Sequence, residues 1–367
     1  MGFNKGLVSR GKTIKILLII PSLKFGGAER VAARLTKQWN KNHNVSIILF
    51  DGKNPTYEFS GQVYDINQPG GNKSILLKLK SFIIRIINIK RLIQHTKPNY
   101  IISFMESANF PSIIAASLTG RLDSLTVSIR NNPQIFPWII RFFMFLTYRF
   151  PARVVGCSEG VALSLKKMGL SSNKLFVIPN PSAELSVICR NNHLLDKPYI
   201  LAVGRLHYQK GFDRLLSAFS MIQNKNILLV ILGEGLEKTA LKNLALQLGI
   251  ENNLIMPGTV NNPMPWYQNA LCFVLSSRYE GWPNVIMEAM ANGCPVISFN
   301  CKYGPSEIIE HGVSGLLIND GDIIGLARAI DQVIYDSAFQ NTLVSNSYKR
   351  IKIFNINDTV LNLIKPG

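Results

Sequence analysis

The sequence predicts an α/β chain of two doubly wound parallel-sheet domains that face each other across a cleft. Three observations carry this. A chain of 367 residues with 47% hydrophobic side chains exceeds one ordinary core, which points to two domains. Continuous apolar runs of strand length alternate with helical patterns, as expected of parallel strands buried on both faces. The alternation lapses into Pro, Asn and polar residues around 178–198 and then restarts, which places a linker there.

In order, the first half opens with "TIKILLII", the glycine loop "PSLKFGG" and the helical "AERVAARLTKQWN". Apolar runs follow at "VSIILF", "YIISF", "LTVSI", "RVVGC" and "KLFVIP". After the linker come "YILAVGRL", "FDRLLSAFSMI", "NILLVILG", "LEKTALKNLALQLGI", "NLIMPG", "ALCFVLSS", "PVISF" and the helical "IIGLARAIDQVIY". The first domain is assigned to residues 1–185 and the second to 186–345. Ligands of open α/β sheets collect beyond the carboxyl ends of the strands, so the cleft is the expected site.

The five cysteines, Cys157, Cys189, Cys272, Cys294 and Cys301, are odd in number and widely spaced, with no zinc-ligand pattern. They read as reduced, buried thiols of a cytosolic protein. The start is basic, and its short apolar run "ILLII" reads as a first buried strand rather than a signal peptide.

The net charge of +18 is unevenly placed. Residues 1–185 hold 25 Lys and Arg against 8 Asp and Glu, and the remainder 15 against 14. Such asymmetry implies an anionic partner of the first half: nucleic acid, anionic lipid or a phosphorylated substrate. The stretch 74–98 interleaves Lys78, Lys80, Arg85, Lys90 and Arg91 with Ile, Leu and Phe. Lys78, Ser81, Arg85 and Asn88 fall on one stripe, giving a helix with a wide apolar face and a basic edge. A second segment, "IFPWIIRFFMFLTYRF", is apolar and aromatic but broken by Pro137, Arg141 and Arg149. Neither reaches the roughly 18 uninterrupted apolar residues of a spanning helix. Both suit either core helices with solvated basic edges or contact with an anionic membrane surface. No nucleic-acid partner is expected: that class is less favoured, because no helix-turn-helix, zinc finger or RNP-like aromatic pattern accompanies the charge.

The chemistry-bearing motifs all follow apolar strands. Gly26 and Gly27 open a helix, where free N–H groups and missing side chains favour an anion, or simply a tight turn. In "AVGRLHYQKGFD", Gly204 and Arg205 leave a strand and Lys210 precedes a helix. The two cations suit a diphosphate, or are ordinary surface charges. In "EGWPNVIMEA", Glu280 lies in a loop, Pro283 suits a helix start and Glu288 lies further along that helix. Paired carboxylates there suit sugar hydroxyls, and the N–H groups of Gly281 and Asn284 suit phosphate or sugar oxygens. Glu288 stands among apolar neighbours, where a lone charge would be costly. There is neither a GxGxxG nor a P-loop, so a dinucleotide oxidoreductase lacks its fingerprint. Asp320-x-Asp322 looks like a metal-binding pair, but it precedes a helical pattern, and Asp322 reads better as an N-cap.

Together "GGAER", "VGRLHYQKG", "EGWPNVIMEAMANGCPVIS" and "GPSEIIEHGVSGLLI", in this order and spacing, resemble the retaining glycosyltransferases of family 4 over essentially the whole chain. The resemblance implies the GT-B fold of two Rossmann-like domains, a nucleotide-sugar donor and no obligatory metal or other cofactor. It assigns Glu280 to the donor hexose, Glu288 to its ribose, and Arg205 and Lys210 to the diphosphate. Gly27 and its neighbours close from the first domain, and Asn284 adds a backbone contact. It also implies that residues 346–367 cross back to the first domain. Glu280, Arg205 and Lys210 are the expected catalytic groups, with front-face displacement and the leaving phosphate helping to deprotonate the acceptor. The acceptor side is expected among Glu106, Asn109, Arg130 and Asn131, although Ile129 departs from the family's "SERNDP". The resemblance extends to O-antigen and surface polysaccharide enzymes. It therefore implies transfer of an N-acetylhexosamine or hexose from a UDP-sugar, with an α bond, to a polyprenyl-diphosphate-linked glycan at the cytoplasmic face of the inner membrane. A GDP-mannose-dependent transferase or a UDP-sugar epimerase of the same fold are the alternatives.

Overall fold

The computed structural model describes residues 13–24, 26–71, 74–185 and 194–365. Cys189 and part of the expected linker lie outside the described residues.

The first sheet contains β1 (Lys15–Ser22), β2 (Asn44–Asp51), β3 (Gln62–Asp65), β4 (Tyr100–Phe104), β5 (Leu125–Ile129), β6 (Arg153–Gly156) and β7 (Leu175–Val177). All pairs are parallel, in the order β3-β2-β1-β4-β5-β6-β7. The second contains β8 (Tyr199–Val203), β9 (Leu228–Leu232), β10 (Leu254–Gly258), β11 (Cys272–Leu275), β12 (Val296–Asn300) and β13 (Leu316–Asn319). These are also parallel, in the order β10-β9-β8-β11-β12-β13. Strand order thus reverses between β1 and β4 and again between β8 and β11, and each reversal opens a crevice at the strands' carboxyl ends.

Helices of the first domain are α1 (Gly27–Trp39), α2 (Ile75–Thr96), α3 (Glu106–Leu118), α4 (Trp138–Thr147) and α5 (Glu159–Lys167). The second domain carries α6 (Phe212–Met221), α7 (Lys238–Gln247), α8 (Met264–Asn269), α9 (Asn284–Ala291), α10 (Pro305–Ile308) and α11 (Ile323–Tyr335). The chain closes with α12 (Ser337–Ile351) and α13 (Ile356–Leu363).

Alternation along β1 explains the layering. Ile16, Leu18 and Ile20 pack with Val31 and Trp39 of α1 and Val360 of α13. Leu17 and Ile19 pack on the other face with Ile89 of α2, Ala108 of α3, Met144 of α4 and Val161 of α5. The two-sided burial predicted from continuous apolar runs is what the sheet shows. The short polar edge strand β3, "QVYD", was not legible as a strand, because an edge needs no apolar run to pair on one side.

The polar stripe of α2 is oriented differently from the expectation. Ser81 is buried, and Arg85 folds over the Phe50 ring, 4.4 Å from its centroid, donating to the Gln68 carbonyl at 2.7 Å. Lys78 of the stripe is exposed, and turned to solvent with it are Ile75, Leu76, Leu79 and Ile83, with Ile75 84% exposed. In α4, Trp138, Phe142 and Phe143 are exposed in the same way, and only Met144 is buried. Among the described residues no helix is long and apolar enough to cross a membrane.

At the end of the chain, α12 packs on α9 and α13 packs on α1. Residue 346 lies inside α12, so the crossing between domains falls at the turn Lys352–Phe354, where Phe354 packs edge-on against Trp282 at 5.1 Å. Arg153 holds the last helix by donating to the carbonyls of Asn362 (2.7 Å) and Lys365 (3.1 Å).

Candidate functional site

The β8 and β11 loops build one half of the site. Beyond Val203 the chain passes Gly204 and Arg205 into a 3-10 turn at Tyr208–Lys210, which Gly211 ends in the left-handed conformation (φ 61°). A Cβ on Gly211 would lie 2.2 Å from the Ser276 carbonyl, so glycine is required on both counts. Ser276 donates to the Lys210 carbonyl at 2.9 Å, and Arg278 clamps Asp213 (2.8 and 2.6 Å) and the Tyr208 carbonyl (2.8 Å). These bonds hold the two loops side by side. The result is a Lys210 ammonium donating to Glu280 Oε1 at 2.6 Å, with the Ser277 hydroxyl donating to the same oxygen at 2.7 Å.

The other half involves both domains. Asn284 starts α9 and Glu288 lies one turn along, so both occupy one face. The Asn284 side chain donates to the Gly27 carbonyl at 3.1 Å. A Cβ on Gly27 would sit 2.8 Å from the Asn284 amide, so the bare backbone there permits the approach. Asn180 donates to Asn284 Oδ1 at 2.8 Å and accepts from Arg130. Glu288 forms an ion pair with Arg30 of α1 and accepts from the Tyr267 hydroxyl at 3.3 Å. Burial pulls the Arg30 pKa down, but Glu288 and Tyr57 outweigh it and hold the guanidinium above its ordinary range. Beside it, burial raises the Glu29 carboxyl, opposed by its own backbone N–H and by Arg205. Arg205 itself is exposed, with Glu29 of the first domain as its electrostatic neighbour. Gly26 lies under the Glu29 carboxylate, where a Cβ would come within 2.0 Å.

On the acceptor side the structure differs from expectation. Arg130 is buried, stacked 4.2 Å from the Phe104 centroid, and burial lowers its pKa to about 10. Its carbonyl lies against Gly281, where a Cβ would meet it at 2.6 Å, and its buried guanidinium donates to Asn180. Asn109 is fully buried, donating to the Ser128 carbonyl (3.2 Å) and Tyr148 hydroxyl (3.1 Å), and supports the strand ends instead of lining the site. Asn131 is exposed at the β5 end, and Glu106 begins α3.

Sequence reasoning missed a second clasp. Glu307 places its carboxylate on the first N–H groups of α5, accepting from Glu159 (2.7 Å) and Gly160 (3.2 Å), as an anion should at a helix N-terminus. The Tyr303 ring lies over Gly160, and its hydroxyl bonds Ser164 at 2.7 Å. The "GPSE" motif was visible in the sequence, but its partner was not. Arg30 and Asn180 were missed for the same reason.

Asp322 caps α11 by accepting from the Gly325 N–H at 2.8 Å, and Asp320 accepts from Arg214 at 2.7 Å. Among the described residues Cys157, Cys272, Cys294 and Cys301 are buried and in no disulfide, and burial pushes the Cys157 and Cys272 thiols up to about 12. Such thiols are not nucleophiles at neutral pH.

Residues 25–181 match the family model described as Glycosyltransferase Family 4, and residues 189–350 match that described as Glycosyl transferases group 1. The chain is 27% identical over 351 residues to the GalNAc-alpha-(1->4)-GalNAc-alpha-(1->3)-diNAcBac-PP-undecaprenol alpha-1,4-N-acetyl-D-galactosaminyltransferase of Campylobacter jejuni, covering 94% of this chain and 95% of that one. It is 24% identical over 352 residues to the N-acetylgalactosamine-N,N'-diacetylbacillosaminyl-diphospho-undecaprenol 4-alpha-N-acetylgalactosaminyltransferase of the same organism, covering 93% and 95%. Among solved structures, Anabaena HepE in complex with UDP and glucose superposes with a TM-score of 0.81 at 21% identity, over 95% of this chain and 98% of that one. Two parallel-sheet domains with facing switch points and these matches define a glycosyltransferase of the GT-B fold. The chain belongs to the glycosyltransferases that join a family 4 first domain to a group 1 second domain.

Proposed function

We propose that the protein transfers an N-acetylhexosamine such as GalNAc, or a hexose, from a UDP-sugar to an undecaprenyl-diphosphate-linked saccharide, forming an α bond with retention. The observation that carries this is the grouping of Lys210, Glu280, Asn284 and Glu288 at the second switch point, with Gly27 and Arg30 facing them from the first domain. In this reading Glu280 receives the sugar hydroxyls and Glu288 the ribose, displacing Arg30. Lys210 and Arg205 stabilise charge on the departing diphosphate, the interaction that strengthens most in the transition state. The leaving phosphate oxygen helps to draw the proton from the acceptor hydroxyl on the same face. With that charge supplied by side chains, a chelator leaves turnover unchanged. The choice of donor and acceptor class rests on the Campylobacter relatives, and HepE supports a uridine nucleotide in such a cleft.

The exposed apolar ends of α2 and α4, beside Lys78, Lys80 and Arg141, suit an anionic bilayer where a lipid-linked acceptor resides. The protein then works peripherally at the cytoplasmic face of the inner membrane.

The test is a panel of nucleotide sugars offered with synthetic undecaprenyl-diphosphate-linked saccharides, with the anomeric configuration of the product read by NMR. An α-linked product from a UDP-sugar is expected. Transfer only from GDP-mannose, or sugar epimerisation with free UDP appearing without acceptor, would overturn the reading. Glu288→Ala should weaken UDP binding and abolish transfer while the protein stays folded, and full activity in that variant removes the donor-site assignment.

A further inference from the structure

Glu106 follows β4 directly, beside the switch point of the first sheet, and the turn that delivers it is abrupt. Met105, which is not a glycine, is held at φ 73° and ψ 151°, a sparsely populated conformation that persists only where the surroundings enforce it. Among the described residues Glu106 Oε1 is buried with no hydrogen-bond partner, and the residue's own backbone N–H supports the carboxylate. A carboxyl needed merely to complement the α3 dipole would gain nothing from this desolvation. The turn is also tied to the donor side. The Met105 N–H and the Asn109 amide both donate to the Ser128 carbonyl at 3.2 Å, and two residues further the Arg130 carbonyl lies against Gly281, the neighbour of Glu280. One strand end therefore holds both the Glu106 turn and the Glu280 loop.

We propose that Glu106 receives the proton of the acceptor hydroxyl. This rests on the transferase reading and assigns the proton's destination. The acceptor oxygen forms its bond to the anomeric carbon as the bond from that carbon to the diphosphate oxygen breaks, its electron pair leaving with the diphosphate. The hydroxyl proton passes by way of the departing phosphate oxygen to the Glu106 carboxylate and from there to solvent. Nothing is oxidised or reduced.

The environment suits this role. Burial lifts the Glu106 carboxyl from 4.5 to about 7, so near neutrality it is divided between acceptor and donor forms, as an efficient general base requires. The titratable groups facing it are Tyr148 just after α4, itself driven up by burial, and Cys157 after β6, on which Arg130 and Glu307 also act. Tyr148 and Cys157 are both neutral in the pH range where Glu106 titrates.

The experiment uses the full chain, UDP-N-acetylgalactosamine and an undecaprenyl-diphosphate-linked disaccharide, with Glu106→Gln and Glu106→Asp. In Glu106→Gln, kcat should fall about 10²- to 10⁴-fold with the donor KM retained, and the acid limb of the kcat profile near pH 7 should vanish. Glu106→Asp should recover part of the rate and a limb. A Glu106→Gln enzyme that keeps its rate, or keeps the limb, overturns the assignment. Azide rescue of a glycosyl azide would make Glu106 a nucleophile and overturn it as well. If the wild type transfers nothing from this donor, it is the substrate reading that fails. The same two variants are then assayed with the donor and acceptor that the nucleotide-sugar panel identifies, and a Glu106→Gln enzyme that keeps its rate or its acid limb there overturns the assignment.

Discussion

Glu280 is held by Lys210 and Ser277 before any ligand arrives, and Glu288 by Arg30 and Tyr267. Both carboxylates are therefore held in place by neighbouring side chains. Glu280, Arg205 and Lys210 were legible as candidates because each stands just beyond an apolar run, and the structure places them beyond the carboxyl ends of β8 and β11, where such sheets bind ligands. The acceptor residues were less legible. Arg130 stands at an equivalent strand end, yet Gly281 covers its backbone and Phe104 takes its guanidinium. Glu106 has a consequence at this scale. Below pH 4.5 it is protonated folded or unfolded. Between 4.5 and about 7 the unfolded chain releases a proton that the folded chain keeps, so the stability it contributes is lost as pH rises through that window. The Tm advantage of Glu106→Gln over wild type should thus grow from pH 4.5 to about 7 and then level off. A difference that stays constant over the window would show that the carboxyl is not desolvated.

Among elements, α1 and α9 meet through Arg30–Glu288 and Asn284–Gly27, a contact between residues 257 apart in the second case. The individual helices are written locally, in apolar stripes and in caps such as Ser158 on α5 and Asp322 on α11. Their pairing is not. Arg30 is one-third exposed, so its ion pair is discounted for screening, and Arg30→Met should lower unfolding free energy in urea by about 1–2 kcal/mol. No measurable loss would mean that the α1–α9 contact does not depend on the pair. In α2 the polar stripe was read correctly from spacing, but which side of it meets protein was not. Phe50 and the Gln68 carbonyl draw Arg85 inward, and the leucines and isoleucines of the first turns are left outside.

The whole molecule combines a basic first domain with exposed apolar helix ends on the same half of the chain, the two features on which the proposed membrane contact rests. Leu76→Ser with Leu79→Ser should reduce sedimentation with phosphatidylglycerol vesicles while leaving Tm within about a degree, because both side chains are already exposed. Vesicle binding that is unchanged would place the contact elsewhere. The sequence by itself determined the two-domain α/β plan and the motifs of the candidate site, since both follow from local periodicity and from residues placed next to strand ends. Only the tertiary structure decided which helix face is bare, that Arg130 turns inward, and that Arg30, Asn180, Tyr303 and Glu307 close the cleft. Each of those depends on what a distant segment brings within a few ångströms, and a local pattern holds no record of its partner.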